Sequence, residues 1–270
     1  MCYLAIFLAL CVLWYSLHRL GAHFIFRPHK KRWHLTLPFQ NVWLAPQLSG
    51  AYLPASQGNP TFVFFHGRGG NISHFENFAK TYAALGYGIL MVDYPGFGLS
   101  AGSPSQAWIE QAALATVNYA LNHLKLPLQQ VVLYGHSLGN YPALFVAQHY
   151  KKLPLKALIL QSPFLSTPDT TATWAAHGYW PHTLRYQLVR TFVTPFLLGN
   201  CFNNTRQVGG LSVPTLVCMS KTDTILPWQA SAKLADQLPH AKRLLAPLGG
   251  HDEFKWAAAA VHSFLQQLPH

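Results

Sequence analysis

Gln130-Val131-Val132-Leu133-Tyr134-Gly135-His136-Ser137-Leu138-Gly139-Asn140-Tyr141-Pro142-Ala143-Leu144-Phe145 is the stretch on which the reading of this chain turns. Gln130 to Tyr134 is short, β-prone and apolar, as a covered strand should be. Beyond Gly139 the spacing becomes helical, with Leu138, Tyr141, Leu144 and Phe145 as the inner face. Between strand and helix, Gly135 and Gly139 allow a sharp turn and leave the hydroxyl of Ser137 exposed at the strand's end. Ser137 is therefore the candidate nucleophile.

A serine hydroxyl needs a neighbouring base to take its proton. If the chain order is serine, acid, histidine, that base is one of His149, His177, His182, His240, His251, His262 and His270. Only His251 sits in a glycine-led turn, Gly249-Gly250-His251, directly after the expected last strand, Ala241 to Ala246. The acids after Ser137 are Asp169, Asp223, Asp236, Asp252 and Glu253. Asp223 follows the apolar run Thr215 to Met219, in a loop at a strand's carboxyl end, where an orienting acid would be presented. Asp169 reads as a lid residue, Asp236 as a helix-surface charge, and Asp252 with Glu253 as charges at the start of the last helix.

Prepositioned backbone N–H groups must meet the oxyanion of an acyl-transfer reaction. Leu138, after the nucleophile, should supply one, and Arg68, in His66-Gly67-Arg68-Gly69-Gly70-Asn71, the other. His66 reads as a structural residue tying loops together. Asp93, opening Asp93 to Ser100, reads as a structural carboxylate that pairs with His66 or accepts loop N–H groups.

Outward from the turn, the runs Thr61–Phe65, Tyr87–Val92, Gln130–Tyr134, Leu155–Leu160 and Pro214–Met219 are apolar on both faces, as in a covered parallel sheet. Val42–Leu44 and Leu48–Leu53 read as earlier antiparallel strands. Ser73 to Glu76 and Ser103 to Gln106 have capping-box spacing, so helices alternate with strands in a doubly wound α/β arrangement. The interval of about 163–212 carries Trp174, Tyr179, Trp180, Tyr186, Phe192 and Phe196 without a clear strand, and is expected to be an inserted helical lid.

Met1 to Leu17 has no charged side chain, and Arg19, Arg27, Lys30, Lys31 and Arg32 follow before the first acid at Glu76. The run lacks a positive start and a small-residue cleavage site, so it reads as an anchor and not as a signal peptide. The expected organisation is a transmembrane helix over 1–20, a basic linker over 21–38 and a catalytic domain over 39–270. The positive flank would put that domain in the cytoplasm, making the chain a single-pass membrane protein.

Half of the 270 residues are apolar and a tenth charged, which excludes a disordered chain. The 19 Lys and Arg against 8 Asp and Glu make it basic, but no helix-turn-helix, zinc-finger or RNA-binding signature accompanies the charge, so nucleic acid is not an expected partner. The 15 histidines lack metal-ligand spacing and Cys2, Cys11, Cys201 and Cys218 no disulfide pattern; no metal or organic cofactor is expected.

Taken together, His66-Gly67 with Asn71, the Asp93–Ser100 turn, Gly135–Gly139, the Asp223 loop and Gly250-His251 resemble the α/β-hydrolase superfamily over about residues 40 to 268. Within it the chain is similar to the membrane-anchored, single-domain branch that includes protein depalmitoylases and bacterial relatives. It departs from that branch in Arg68, where many relatives have a small or amide residue, and in the aromatic lid. The resemblance implies a triad of Ser137, Asp223 and His251 and acyl transfer through a covalent acyl-enzyme. The expectation is a serine hydrolase of esters or thioesters acting on small-molecule, lipid-like or acylated substrates, with membrane lipid as a partner. A serine peptidase or amidase, or a non-catalytic module on the same fold, are the alternatives.

Overall fold

The computed structural model describes residues 6–9, 11–13, 16, 25–30, 34–56, 58–176, 202–238 and 240–269. The chain divides into two units, one of Met1–Arg27 with Ser166–Phe202 and one of Pro28–Leu165 with Asn203–His270.

In the larger unit eight strands form one sheet: β1 Gln40–Ala45, β2 Leu48–Leu53, β3 Thr61–Phe65, β4 Gly88–Val92, β5 Val131–His136, β6 Ala157–Gln161, β7 Thr215–Ser220 and β8 Lys242–Ala246. The helices are α1 Glu76–Ala83, α2 Gln106–Asn122, α3 Asn140–His149, α4 Thr167–Ala176, α5 Trp228–Ala235 and α6 Lys255–Gln266, of which α4 belongs to the smaller unit. Across the sheet the order is β1-β2-β4-β3-β5-β6-β7-β8, and β2 runs antiparallel to both its neighbours while the pairings from β4 to β8 are parallel.

Every residue of β3, β4, β5 and β6 is buried, which is why these runs show no polar alternation in the sequence. Successive side chains point to opposite faces. Phe62, Phe64, Tyr134, Ile159 and Cys218 join Phe78 and Tyr82 of α1 and Val261 and Phe264 of α6 in one apolar cluster. Phe64 and Phe78 stack at a centroid separation of 3.9 Å, and Phe254 meets Phe78 edge-on at 5.3 Å. The alternate residues Val63, Leu90, Leu133 and Leu160 are equally buried, and α2 and α3 contact the same central strands.

Helix starts depart from the expected caps. Ser105, not Ser103, caps α2, its hydroxyl accepting from the Trp108 N–H at 3.3 Å, because Ser105 is the last extended residue. Before α1, Asn71 caps a short 3₁₀ turn by accepting from Ser73 N–H at 3.1 Å, while Glu76 accepts from the Thr36 hydroxyl at 2.6 Å.

The smaller unit is described in part. Its helix α4 lies in the expected lid, and the hydroxyl of Ser166, the residue before it, accepts from the Asp169 N–H at 3.2 Å. Phe26 and Phe202 meet edge-to-face at 5.8 Å in the same unit. Residues 177–201, with Tyr179, Trp180, Tyr186, Phe192 and Phe196 of the expected lid, lie outside the described residues.

The expected transmembrane helix over 1–20 is corrected. Among the described residues no helix is long and apolar enough to cross a membrane. The single-pass membrane localisation and the likeness to the membrane-anchored branch fall with it. Of residues 1–20 the structure describes 6–9, 11–13 and 16, and no run among them approaches the about 20 residues that a spanning helix needs; the rest of the expected span lies outside the described residues.

Candidate active site

The elbow is built by close approach. Ser137 follows β5 with φ 53°, in the left-handed region that a non-glycine residue adopts at a cost of roughly 1–2 kcal/mol. A Cβ on Gly139 would stand 1.9 Å from the carbonyl oxygen of Phe65, and one on Gly135 2.6 Å from the Asn140 Cα. Both glycines are thus steric requirements: β3 passes directly beneath the turn, and α3 folds back over its own strand. Ser137 keeps partial solvent exposure, while Leu138, Tyr141 and Leu144 are buried and Phe145 is partly so.

His251 and Asp223 come together from two loops at the carboxyl ends of β8 and β7. His251 Nδ1 lies 2.8 Å from Asp223 Oδ2, with side-chain exposures of 9% and 2%. A carboxylate only accepts, so Nδ1 carries the proton and the other ring nitrogen, Nε2, is left basic. Asp223 fills its four acceptor positions: Oδ1 takes the Ile225 and Leu226 N–H groups, each at 2.9 Å, and Oδ2 takes His251 and the Ser162 hydroxyl at 2.8 Å. Burial pushes the Asp223 carboxyl up, but the hydrogen bond and charge of His251, then Leu226 N–H and Ser162, outweigh it and hold the group below its ordinary range.

The His251 turn also meets the elbow. The His251 ring centroid is 5.0 Å from that of His136, the residue before Ser137, and His136 Nε2 lies 2.9 Å from the His251 carbonyl oxygen. On the other side, a Cβ on Gly67 would stand 3.6 Å from the Ser137 Cβ, so the loop bearing Arg68 runs alongside the serine. Arg68 itself is partly buried.

Below this loop lie its supports. His66 is fully buried; its Nδ1–H donates to the Gly67 carbonyl at 2.7 Å, and its own carbonyl accepts from the Tyr94 hydroxyl at 2.9 Å. The backbone carbonyl of His66, not its ring, thus ties the loop after β3 to the loop after β4. Asp93 accepts from the Ile72 N–H at 2.9 Å. Gly98, at φ 48°, passes so near that a Cβ there would stand 1.9 Å from Asp93 Oδ2. Asp236 pairs with Arg243 at 2.7 Å on the surface. Glu253 turns back to accept from the Gly250 N–H at 3.0 Å, so it closes the turn instead of leading α6.

Sequence reading passed over Ser162, Gln161, His136 and Asn140. Asn140 Nδ2 donates to the carbonyls of Ser137 at 2.8 Å and Gln161 at 2.9 Å. The available signal was polarity in the wrong place: His136, Gln161 and Ser162 end or follow otherwise apolar strands. Among the described residues one grouping, His136, His251 and Asp252, has metal-capable atoms within 4.8 Å of each other. The Nε2 of His136 and the Nδ1 of His251 are already hydrogen-bonded, and a structural zinc site takes about four ligands.

Residues 60–197, just over half of the chain, match the family described as alpha/beta hydrolase fold. The chain belongs to that family. It is 29% identical over 211 residues to the uncharacterized protein YfhR of Escherichia coli, covering 77% of this chain and 68% of that one. It is 28% identical over 251 residues to the lysophosphatidylserine lipase ABHD12 of Danio rerio, covering 88% of this chain but 63% of the fish protein. Among solved structures, an esterase from Pyrococcus furiosus superposes with a TM-score of 0.67 at 15% identity, covering 90% of this chain and 98% of that one. An alpha-beta hydrolase from Vibrio vulnificus gives 0.65 at 21% identity, covering 80% and 76%.

Proposed function

We propose that this chain is a serine hydrolase that cleaves carboxylic ester or thioester bonds of acylated small molecules. The observation that carries the reading is the buried 2.8 Å bond between His251 Nδ1 and Asp223 Oδ2, in a turn that rests on the residue preceding Ser137. That bond fixes one tautomer and leaves Nε2 to act as base.

In this reading Ser137 Oγ attacks the acyl carbonyl as His251 Nε2 takes its proton. Asp223 stabilises the imidazolium with a charge already held in place, and the N–H groups of Arg68 and Leu138 meet the oxyanion. The imidazolium then returns its proton to the departing alcohol or thiol. Water, activated by the same nitrogen, attacks the acyl-serine and releases the acid. The zebrafish relative is named for a lipase activity on lysophosphatidylserine, and it supports an acyl substrate for this chain.

The test is labelling by a fluorophosphonate together with turnover of p-nitrophenyl esters from acetyl to octanoyl. Wild-type protein should label and turn over, with efficiency rising with chain length by at most about 0.8 kcal/mol per methylene. Ser137→Ala should do neither while remaining folded. Turnover by Ser137→Ala at the wild-type rate overturns the assignment.

A further inference from the structure

At the carboxyl ends of β5 and β6, His136 and Gln161 are direct register partners on adjacent parallel strands. Both are buried polar side chains in strands that are otherwise apolar, with 1% and 0% exposure. Each sends one ring or amide nitrogen to the same short segment. His136 Nε2 reaches the carbonyl oxygen of His251 at 2.9 Å, and Gln161 Nε2 donates to the carbonyl oxygen of Glu253 at 2.7 Å. A carbonyl only accepts, so His136 carries its proton on Nε2, and the Gln161 amide is turned with its nitrogen to the loop.

The orientation of Gln161 is set from behind. Its Oε1 accepts from the Tyr134 hydroxyl, and that hydroxyl lies 3.3 Å from the Tyr82 hydroxyl in the aromatic core. The His136 ring is wedged between Phe75, at 5.7 Å, and Phe254, at 5.2 Å. The same segment is held at its ends by the His251–Asp223 bond, by Glu253 on the Gly250 N–H and by the buried Phe254 ring, while Asp252, between the two gripped carbonyls, has 76% of its side chain exposed, so the two sheet donors are what hold the backbone in between. The turn that carries His251 thus takes two buried donors from the ends of adjacent strands.

We propose that His136 and Gln161 are positioning residues, a two-point clamp on the carbonyls of His251 and Glu253 that sets the His251 imidazole against the nucleophile. The clamp rests on the serine-hydrolase reading above. It acts through His251, touching neither substrate nor oxyanion. Burial, then the charge of His251, pushes His136 down to about 3, so the ring stays a neutral single-proton donor through the working pH range.

Steady-state kinetics and fluorophosphonate labelling of the full chain test it. His136→Phe keeps a ring among Phe75 and Phe254 and removes the donor; Gln161→Met keeps the length and removes both polar atoms. In each folded variant kcat should fall by about tenfold or more, with labelling slowed in parallel and KM held within about twofold, because geometry and not binding is lost. His136→Gln, whose amide nitrogen falls near the place of Nε2, should recover most of the loss. Folded His136→Phe with wild-type kcat overturns the clamp, as does a His136→Gln variant no better than His136→Phe. If His136→Phe does not fold, Gln161→Met is read by the same criteria, and an unchanged kcat there is equally fatal. Failure of the underlying reading looks different: Ser137→Ala would itself remain active.

Discussion

Ser137 and Ser162 occupy equivalent places, each the first residue after its strand, β5 or β6, and each in the left-handed region at φ 53° and 47°. The strain at Ser137 lifts a hydroxyl out of the sheet; at Ser162 it aims one at Asp223 Oδ2, 2.8 Å away. Removing a hydrogen bond to a charged group costs about 1.5–3 kcal/mol. If that loss falls on the transition state, Ser162→Ala should lower kcat by about tenfold to a hundredfold. Ser162→Gly should be as slow but more stable than Ser162→Ala by about 1 kcal/mol, since glycine adopts the turn freely. Denaturant unfolding alongside ester turnover reads both effects, and equal stabilities would show that the backbone there is unstrained. Gly139→Ala is the opposite case. Its Cβ would overlap the Phe65 carbonyl at 1.9 Å, and backbone cannot swing away as a side chain can. A loss of several kcal/mol, about the 1–3 of overpacking or more, should appear as a lower unfolding midpoint.

At the scale of elements, the central strands were legible because burial on both faces writes an unbroken apolar run. Thr61–Phe65 and Leu48–Leu53 were read to the residue, and the others to within one or two residues. Caps were less legible. Two candidate caps precede each of α1 and α2, and which of them is the last extended residue depends on how the loop is held, as Ser105 over Ser103 shows. The seam between β3 and α1 is the packing most exposed to mutation. Phe78 stacks on Phe64 and touches Phe62, Tyr82, Tyr134 and Phe254. Phe78→Ala should cost about 3–5 kcal/mol in a denaturant titration, the range for a large core aromatic. A loss under about 1 kcal/mol would mean that the seam collapses around the gap.

For the whole molecule, two fully buried histidines link folding to pH. Burial is the first cause of holding His66 down to about 4 and His136 down to about 3, against an ordinary 6.5. As pH falls below about 6.5 the unfolded chain takes up protons that the folded chain refuses, so stability falls with acidification. The slope approaches about 1.4 kcal/mol per pH unit for each histidine, and both contribute down to about pH 4. Asp223, held below its ordinary range, adds a loss of the same sign at lower pH. Urea unfolding at neutral pH and at about pH 5 should show the decline, and a flat profile would contradict neutral burial of these rings.

The sequence by itself determined the strand-turn-helix around Ser137, its two obligatory glycines, the alternation of strands and helices, and the short set of residues from which a base and an acid must come. These features are local, set by sterics and by periodic burial within a few residues. The reading of the N-terminal run as a membrane span rested on absence of charge, and among the described residues no helix is long and apolar enough to be one. Only the tertiary structure decided that His251 meets Asp223 across 28 residues, that Ser162 completes the acid's hydrogen bonds across 61, and that His136 reaches the His251 carbonyl across 115. Those pairings depend on strand order and register. The chain specifies both through the packing of the entire sheet, and no local pattern records them.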